Sequence, residues 1–230
     1  MRIIKDFYDG AFVIMVDNSG QKHLATQNLL INNSVYGEKI VPIEDLQYRL
    51  WDPFRSKLAG GIMKNLKEIP IRQSSKLLYL GASTGTTVSH LSDIVGNKGI
   101  VFAVESSPRV ARELLENVSS KRKNIIPILS DARNHMKYYG YFGLVDSVYV
   151  DIAQPDQTKI AIDNCKTYLK NNGDLILIIK TRSIDVLKDP RTVTENEAKK
   201  LEANDFKINQ IINLDPFDID HSLIHAKYNP

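Results

Sequence analysis

The sequence predicts an α/β protein: a mainly parallel sheet, covered by helices on both faces, with a small β-rich region in front of it. From Lys76 onward, short apolar runs alternate with stretches whose apolar residues recur at helical spacing, which is typical of a buried parallel sheet. Before about Glu44, strand-like runs are separated by turn residues and show no helical period. We therefore expect a β-rich domain at residues 1–52 and an α/β domain at residues 53–230.

Composition narrows the class of protein. The chain has 230 residues, of which 43% are hydrophobic and 25% are charged, as expected of a globular protein with one large and one small domain. No apolar run approaches the length of a membrane span, and the N-terminus lacks the apolar core of a signal peptide. A single cysteine, Cys165, excludes an internal disulfide framework and any multi-cysteine metal cluster. We expect a cytoplasmic protein without a membrane partner or a metal.

The β-rich region begins with a hairpin. Residues 11–16 (A-F-V-I-M-V) are followed by the turn D-N-S-G and a more polar segment, which indicates a strand, a turn and a returning strand. A helix can begin after Pro53, because Leu58, Ile62 and Leu66 recur every four residues. Its paired glycines, Gly60-Gly61, indicate either a close approach by another segment or a loosely made linker helix.

The α/β region alternates in order. Predicted strands cover residues 77–80, 100–104, 124–129, 145–151 and 175–180, and predicted helices cover residues 87–95, a segment that begins at Ser107-Pro108, residues 158–169 and residues 194–203. Two final strands, at residues 208–214 and 222–228, are joined by a connection too short for a helical crossover, so this pair should be antiparallel. A parallel sheet with an antiparallel last strand is the pattern of Rossmann-like methyltransferases.

The loop after the first of these strands suits a nucleotide-like ligand. The stretch L-L-Y-L-G-A-S-T-G-T-T (residues 77–87) runs from a buried strand through a glycine turn into a helix, where backbone N–H groups can hold a ligand. Glu105 follows Gly81 by 24 positions, a spacing that suits binding of ribose hydroxyls. Asp131 follows the next strand, where a carboxylate can accept from an adenine amino group.

NAD is the rival ligand for such a loop. Its fingerprint requires glycine at the first, third and sixth positions, which here are Gly81, Ser83 and Thr86. Serine is poorly suited to the third position, where the backbone must approach a pyrophosphate. S-adenosylmethionine has no pyrophosphate, so the loop favours S-adenosylmethionine over NAD.

Four motifs resemble one known family. L-Y-L-G-A-S-T-G-T-T-V-S-H-L-S-D-I-V-G, I-I-P-I-L-S-D-A-R, V-D-I-A-Q-P-D-Q and P-F-R-S-K-L-A are similar to fibrillarin, and the similarity extends from about Tyr36 to the C-terminus. The resemblance is to the short archaeal type, without a Gly/Arg-rich arm. It implies an S-adenosylmethionine-dependent methyltransferase that modifies 2′-hydroxyls of rRNA and tRNA at guide-selected positions. The implied partners are a Nop-type scaffold protein, a kink-turn-binding protein, a box C/D guide RNA and the substrate RNA.

The glycine loop and the resemblance together imply a set of cofactor-binding residues. They are Gly81, Ala82, Thr86, Thr87, Glu105, Ser106, Asp131, Ala132, Asp151, Ile152, Ala153 and Gln154. The chain departs from the family at Ser106, where an aromatic residue is usual, and at residues 181–185, where T-R-S-I-D replaces A-N-C-I-D.

The implied catalytic residues are Lys57, Asp151, Lys180 and His221. Methyl transfer to a hydroxyl is helped by cationic groups near the oxygen as negative charge develops. We expect Lys180 nearest the hydroxyl and oriented by Asp151, Lys57 on a substrate phosphate or in the charge network, and His221 as an orienting group or proton relay.

Other features have simpler interpretations. We expect His90 and His135 to be surface or structural residues and Cys165 to be a packing residue. The basic run Lys121-Arg122-Lys123 is expected to form a solvated face, and a net charge of +3 predicts weak RNA binding by the chain alone. Two alternatives to guided RNA methylation stay open: a mainly structural ribonucleoprotein subunit and a stand-alone small-molecule methyltransferase.

Overall fold

The N-terminal region is an antiparallel sheet of five strands. The structure, a computed structural model, describes residues 1–7 and 12–230. The strands are β1 (Arg2–Phe7), β2 (Phe12–Val16), β3 (Lys22–Gln27), β4 (Ile40–Ile43) and β5 (Leu46–Trp51), in the spatial order β1-β2-β3-β5-β4. Residue 11, in the predicted first strand, lies outside the described residues. The predicted hairpin is confirmed by β2 and β3, in which Met15 pairs with His23.

One face of this sheet packs on the second sheet and its helices. Phe12, Leu24 and Trp51 are buried in a core that also contains residues of the second sheet, whereas Val13 and Met15 belong to a separate small core. Alternate residues of a strand point to opposite faces, so a single strand such as β2 contributes to both. The two sheets therefore share one hydrophobic core on this side.

The second sheet has seven strands. They are β6 (Lys76–Leu80), β7 (Ile100–Glu105), β8 (Ile125–Leu129), β9 (Val145–Val150), β10 (Leu169–Lys180), β11 (Phe206–Asn213) and β12 (His221–Tyr228). Their spatial order is β11-β12-β10-β9-β6-β7-β8. Only β12 runs against its neighbours, pairing antiparallel with both β10 and β11. The predicted parallel sheet with an antiparallel last strand is confirmed.

Helices cover both faces of the second sheet. They are α1 (Lys57–Met63), α2 (Thr86–Val95), α3 (Pro108–Leu114), which continues as the π-helical turn Leu115–Ser119, the 3-10 helix Ala132–Tyr138, α4 (Gln157–Tyr168), α5 (Thr181–Ile184) and α6 (Pro190–Glu202). In β6, Leu77 and Tyr79 lie in the core with α1 and α2, while Leu78 and Leu80 lie in the core with α4 and α6. Both faces of β6 are therefore buried, each in a different hydrophobic core, which explains its continuous apolar run. Among the described residues, no helix has the length and apolarity needed to cross a membrane.

The paired glycines of α1 are explained by close packing. A β-carbon on Gly60 would lie 3.2 Å from Cβ of Phe217, and one on Gly61 would lie 2.7 Å from Cδ1 of Leu223. The helix therefore lies directly on β12 and on the segment before it. The structure supports the close approach and not the loose linker helix.

Helix α6 begins earlier than expected. Asp189 caps it by accepting a hydrogen bond from the Thr192 N–H, and Pro190 occupies the first turn. The predicted helix start at residue 194 is therefore four residues too late. The Thr194 hydroxyl donates to the Pro190 carbonyl at 2.9 Å and contacts Ser222 Oγ at 3.1 Å. The hydroxyl is buried inside the first turns of the helix.

A buried charged network joins the N-terminal sheet to helix α2. Asp93 of α2 accepts from Arg49 of β5 at 2.8 Å and also from Arg122, and Arg49 donates in turn to Glu38. The side chains of Arg49, Arg122 and Asp93 are 0% exposed. The expectation of a solvated basic face is therefore wrong at Arg122, which is a structural residue. Two guanidinium groups and two carboxylates balance each other's charge here.

His90 of α2 is a structural residue in the same interface. Its ring stacks on Trp51 with centroids 4.8 Å apart, Nδ1 lies 2.8 Å from Thr26 Oγ1, and Nε2 lies 2.7 Å from the Tyr36 hydroxyl. Burial, together with Arg49 and Arg122, holds the pKa of His90 well below its usual value. A neutral imidazole with both nitrogens hydrogen-bonded satisfies this site.

Candidate active site

A cavity of about 240 Å³ lies beyond the carboxyl ends of β6, β7, β8 and β9. Ligands of open α/β sheets bind at this edge. The cavity is lined by Gly81, Ser83, Val104, Glu105, Ser106, Ser130, Asp131, Ala132, Arg133, Asp151, Ile152, Ala153, Gln154 and Ile160.

Most of the predicted cofactor residues line this cavity. Those on its wall are Gly81, Glu105, Ser106, Asp131, Ala132, Asp151, Ile152, Ala153 and Gln154. Ala82, Thr86 and Thr87 lie outside the wall. Thr87 is buried, and its hydroxyl donates to Ser56 Oγ at 2.9 Å, so it links the start of α2 to the cap of α1.

Gly81 allows two strand ends to meet at the cavity. Its φ is +84°, and a β-carbon there would lie 2.2 Å from the carbonyl oxygen of Asp151. Only glycine combines this backbone conformation with such a close approach. The end of β6 therefore lies directly against the end of β9.

The Glu105 carboxylate ties two loops together at the cavity. One oxygen accepts from the Ser83 N–H and the other from the Ser107 N–H, each at 2.9 Å. A carboxylate oxygen has two lone pairs, so each oxygen can accept a further bond. Glu105 is thus held in place and still able to accept from a diol.

Arg133 closes the cavity on the other side, and sequence reasoning missed it. Its guanidinium donates to Gln154 Oε1 at 2.7 Å and to both carboxylate oxygens of Asp156 at 3.0 and 3.1 Å. It also lies 3.6 Å from Asp131. The hydrogen bond from Arg133 lowers the pKa of Asp156. The sequence feature that could have placed Arg133 at the cavity is its position two residues after Asp131, in the motif S-D-A-R.

A second group of charges begins at Asp151. Lys57, the first residue of α1, donates to both Asp151 oxygens at 2.9 and 3.0 Å and lies 3.8 Å from Asp218. Asp218 Oδ1 in turn lies 2.7 Å from Nδ1 of His221. The sequence analysis did not single out Asp218, because it lies in the connection between β11 and β12, where no periodic pattern marks a residue. The sequence feature that could have indicated it is the group of acidic residues at positions 215–220, just before His221.

Lys180 lies beside this second group of charges, and together they form what we call the charged patch, but Lys180 forms no ion pair with the described residues of the patch. It is the residue opposite His221 in the β10–β12 ladder, so both side chains project from one face. Among the described residues, no carboxylate oxygen lies within 4 Å of its ammonium. The expected pairing of Asp151 with Lys180 is not found; Asp151 instead accepts two hydrogen bonds from Lys57. The structure therefore brings all four predicted catalytic residues together, with Asp218 as the link.

Other candidate groups are structural. Cys165 of α4 is buried, and burial raises the pKa of its thiol. Within the described part of the chain, no group of three or more His, Cys, Asp and Glu side chains could hold a metal ion.

Known proteins match this chain over nearly its whole length. The family model described as fibrillarin matches residues 4–230. A protein named fibrillarin-like rRNA/tRNA 2′-O-methyltransferase, from Saccharolobus solfataricus, is 54% identical over 211 residues, which are 92% of this chain and 90% of that protein.

The solved structures that share the fold include three fibrillarins. The Methanococcus jannaschii fibrillarin pre-rRNA processing protein superposes with a TM-score of 0.94 at 43% identity, covering 99% of this chain and 97% of that one. Aeropyrum pernix fibrillarin, solved with natively bound S-adenosyl-L-methionine, gives 0.90 at 40% identity over 98% of both chains. A fibrillarin from a fibrillarin/Nop5p complex gives 0.86 at 40% identity, covering 98% of this chain and all of that one. These matches confirm the Rossmann-like methyltransferase fold.

Proposed function

The chain belongs to the fibrillarin family, and on that premise we propose that it is a ribose 2′-O-methyltransferase. It transfers methyl groups from S-adenosylmethionine to 2′-hydroxyls of rRNA and tRNA within a box C/D ribonucleoprotein. The relative named above is a methyltransferase of rRNA and tRNA, and a 40% identical fibrillarin was solved with the cofactor bound.

The observation that supports this function best is the double role of Asp151. Asp151 lines the cavity at the strand ends, and its carboxylate holds Lys57 with two hydrogen bonds. A single residue thus joins the cofactor cavity to the charged patch that contains Lys180 and His221. A methyl donor in the cavity would lie beside the cations that receive the substrate.

The cavity residues fit S-adenosylmethionine. Glu105 is fixed by two backbone donors and keeps free lone pairs for ribose hydroxyls, and Asp131 can accept from the adenine amino group at the end of the next strand. Gly81 presents bare backbone where a side chain would collide with Asp151. When bound, the cofactor supplies a methyl group on a positively charged sulfur.

The protein must then align the ribose 2′-oxygen and accept its proton. Within the described residues the ammonium of Lys180 has no carboxylate partner, so it is available to stabilise negative charge on that oxygen. Nδ1 of His221 lies 2.8 Å from the Ile219 carbonyl oxygen, which can only accept, so this nitrogen carries the hydrogen. His221 Nε2 is therefore the nitrogen that could take up a proton.

A protein partner and a guide must deliver the substrate. The fibrillarin/Nop5p complex supports assembly of this chain with a Nop-type protein, and we propose that a kink-turn-binding protein and a box C/D guide RNA complete the particle. The net charge of +3 is too small to give strong RNA affinity alone. We also propose a cytoplasmic location, since the relative from S. solfataricus is archaeal.

The test is transfer of labelled methyl groups to guide-matched RNA in the reconstituted complex. Lys57, Asp151, Lys180 and His221 are replaced one at a time. Lys180→Ala should lower the rate by at least about 100-fold while the Kd for S-adenosylmethionine is unchanged. Lys170→Ala is the matched control, because Lys170 lies at the opposite end of β10 and pairs with Asp146.

The outcomes separate the alternatives. Undiminished transfer by Lys180→Ala would contradict the assigned role of Lys180. An intact complex that transfers no methyl group would indicate a structural subunit, and transfer to metabolites by the lone chain would indicate a small-molecule enzyme. A 2′-deoxy nucleotide at the target should receive no methyl group.

A further inference from the structure

A second groove, beside the active site, has no role in the proposed chemistry. It is a cavity of about 430 Å³ between the N-terminal sheet and residues 52–55, where the chain passes from β5 to α1. Lys22, Lys39, Trp51, Phe54, Arg55 and Tyr36 are among its lining residues. We call it the aromatic groove.

The groove presents an exposed aromatic ring next to the active site. Phe54 is 66% exposed, although its ring is held edge-to-face against Phe217 with centroids 5.1 Å apart. Phe217 directly precedes Asp218 of the charged patch, and Phe54 lies three residues before Lys57. The groove is thus continuous with the site at which the substrate reacts.

The groove also has an excess of positive charge. Arg55 stacks over the Tyr36 ring at 4.7 Å, and the one hydrogen bond of its guanidinium to the described residues is to the Tyr36 carbonyl. Lys22 and Lys39 are exposed and, within the described part of the chain, have no carboxylate within 4 Å. Of the acidic lining residues, the buried Glu38 side chain pairs with Arg49, whereas Asp52 accepts from the Phe54 N–H and keeps its charge. The three cations Lys22, Lys39 and Arg55 therefore outnumber the one carboxylate that has no cationic partner among the described residues.

An exposed aromatic ring beside cations that have no carboxylate partner among the described residues matches single-stranded RNA. Bases stack on aromatic side chains and guanidinium planes, while cations follow the phosphates. We propose that the aromatic groove binds an unpaired stretch of the substrate RNA next to the nucleotide being methylated. Phe54 stacks on a base, and Arg55 and the two lysines contact phosphates. The proposal rests on the proposed function, since it presumes an RNA substrate.

The test compares two guide-matched substrates in the reconstituted ribonucleoprotein. One ends where pairing with the guide ends, and the other continues as a few unpaired uridines that include 4-thiouridine. With the unaltered protein, the extended substrate should show a lower KM than the blunt one, and crosslinks should map to residues 36–55. Phe54→Ala should reduce the KM advantage of the extension by about tenfold. Arg55→Gln should lower the slope of log KM against log salt by about one.

Tyr141→Ala is the matched control, because Tyr141 is 70% exposed and lies outside the groove; it should behave like the unaltered protein. An extension that brings no KM advantage, or crosslinks that map elsewhere, would overturn the proposal. Failure of Phe54→Ala to assemble with the Nop-type protein would show that the groove binds protein instead. Crosslinking needs no turnover, and methylation of the blunt substrate tests the proposed function separately.

Discussion

Replacement of Gly81 by alanine tests whether the contact between the ends of β6 and β9 organises the active site. The added methyl group would lie 2.2 Å from the Asp151 carbonyl oxygen, and real contacts of this kind are essentially never below 3.0 Å. The two strand ends must therefore separate by at least about 0.8 Å. Asp151 lines the cavity and holds Lys57, so this separation displaces the cavity wall and the charged patch together.

The size of the effect follows from that displacement. Misplacement of reacting groups by about 1 Å can cost on the order of 100-fold in rate, so kcat should fall by about that factor. The Kd for S-adenosylmethionine, measured by calorimetry, should also rise. Alanine at φ +84° costs a further ~1–2 kcal/mol of the free energy of unfolding, which urea denaturation measures.

Gly20→Ala separates the loss of stability caused by the positive φ from the loss of activity caused by the displaced strand ends. Gly20 has φ +86°, but a β-carbon there would meet nothing within 4 Å. This variant should lose a similar backbone contribution to stability and keep full activity. The reasoning is refuted if Gly81→Ala retains kcat within about threefold of the unaltered protein, or if both variants lose the same activity.

Three further changes test the charged groups. Asp218→Asn should lower kcat about tenfold at unchanged cofactor Kd, because the carboxylate lies 3.8 Å from Lys57; single-turnover methylation measures it. Asp93→Asn should cost about 3–5 kcal/mol in urea denaturation, because it leaves Arg122 buried without its ion pair. His90 has a lowered pKa, so the unfolded chain binds the extra proton below about pH 6.5 and the free energy of unfolding should fall there by up to about 1.4 kcal/mol per pH unit. His90→Gln should remove that slope.

The sheet could be predicted because its signals are local. Continuous apolar runs such as that of β6 are required by burial on both faces, and the short connection before β12 allowed only an antiparallel return. Boundaries were less predictable where two local signals competed. Thr194 has capping-box spacing, but Asp189 followed by Pro190 ends the preceding loop five residues earlier, and the helix begins there.

The site was predictable where a residue follows a strand and not where it depends on another element. Glu105 and Asp131 follow β7 and β8, so sheet topology alone brings them to one edge. Lys57 and Asp218 meet only because α1 packs on β12 through its glycine pair. The burial of Arg122 could not be predicted for the same reason. Its basic neighbours in sequence indicated a surface position, and its ion-pair partner Asp93 lies 29 positions away.

The N-terminal sheet helps to position Lys57, which we propose takes part in catalysis. Arg49 and Trp51 of β5 are anchored to α2 through Asp93 and His90, and the chain reaches Lys57 six residues after Trp51. The hydroxyl of Ser56, which caps α1, accepts a bond from Thr87 of α2. The segments just before Lys57 are therefore all held by contacts to α2. The same helix begins at the end of the glycine loop that borders the cavity. Through these contacts the N-terminal sheet fixes the Lys57 ammonium beside Asp151 of the cavity, and the aromatic groove lies along the same segment of the chain.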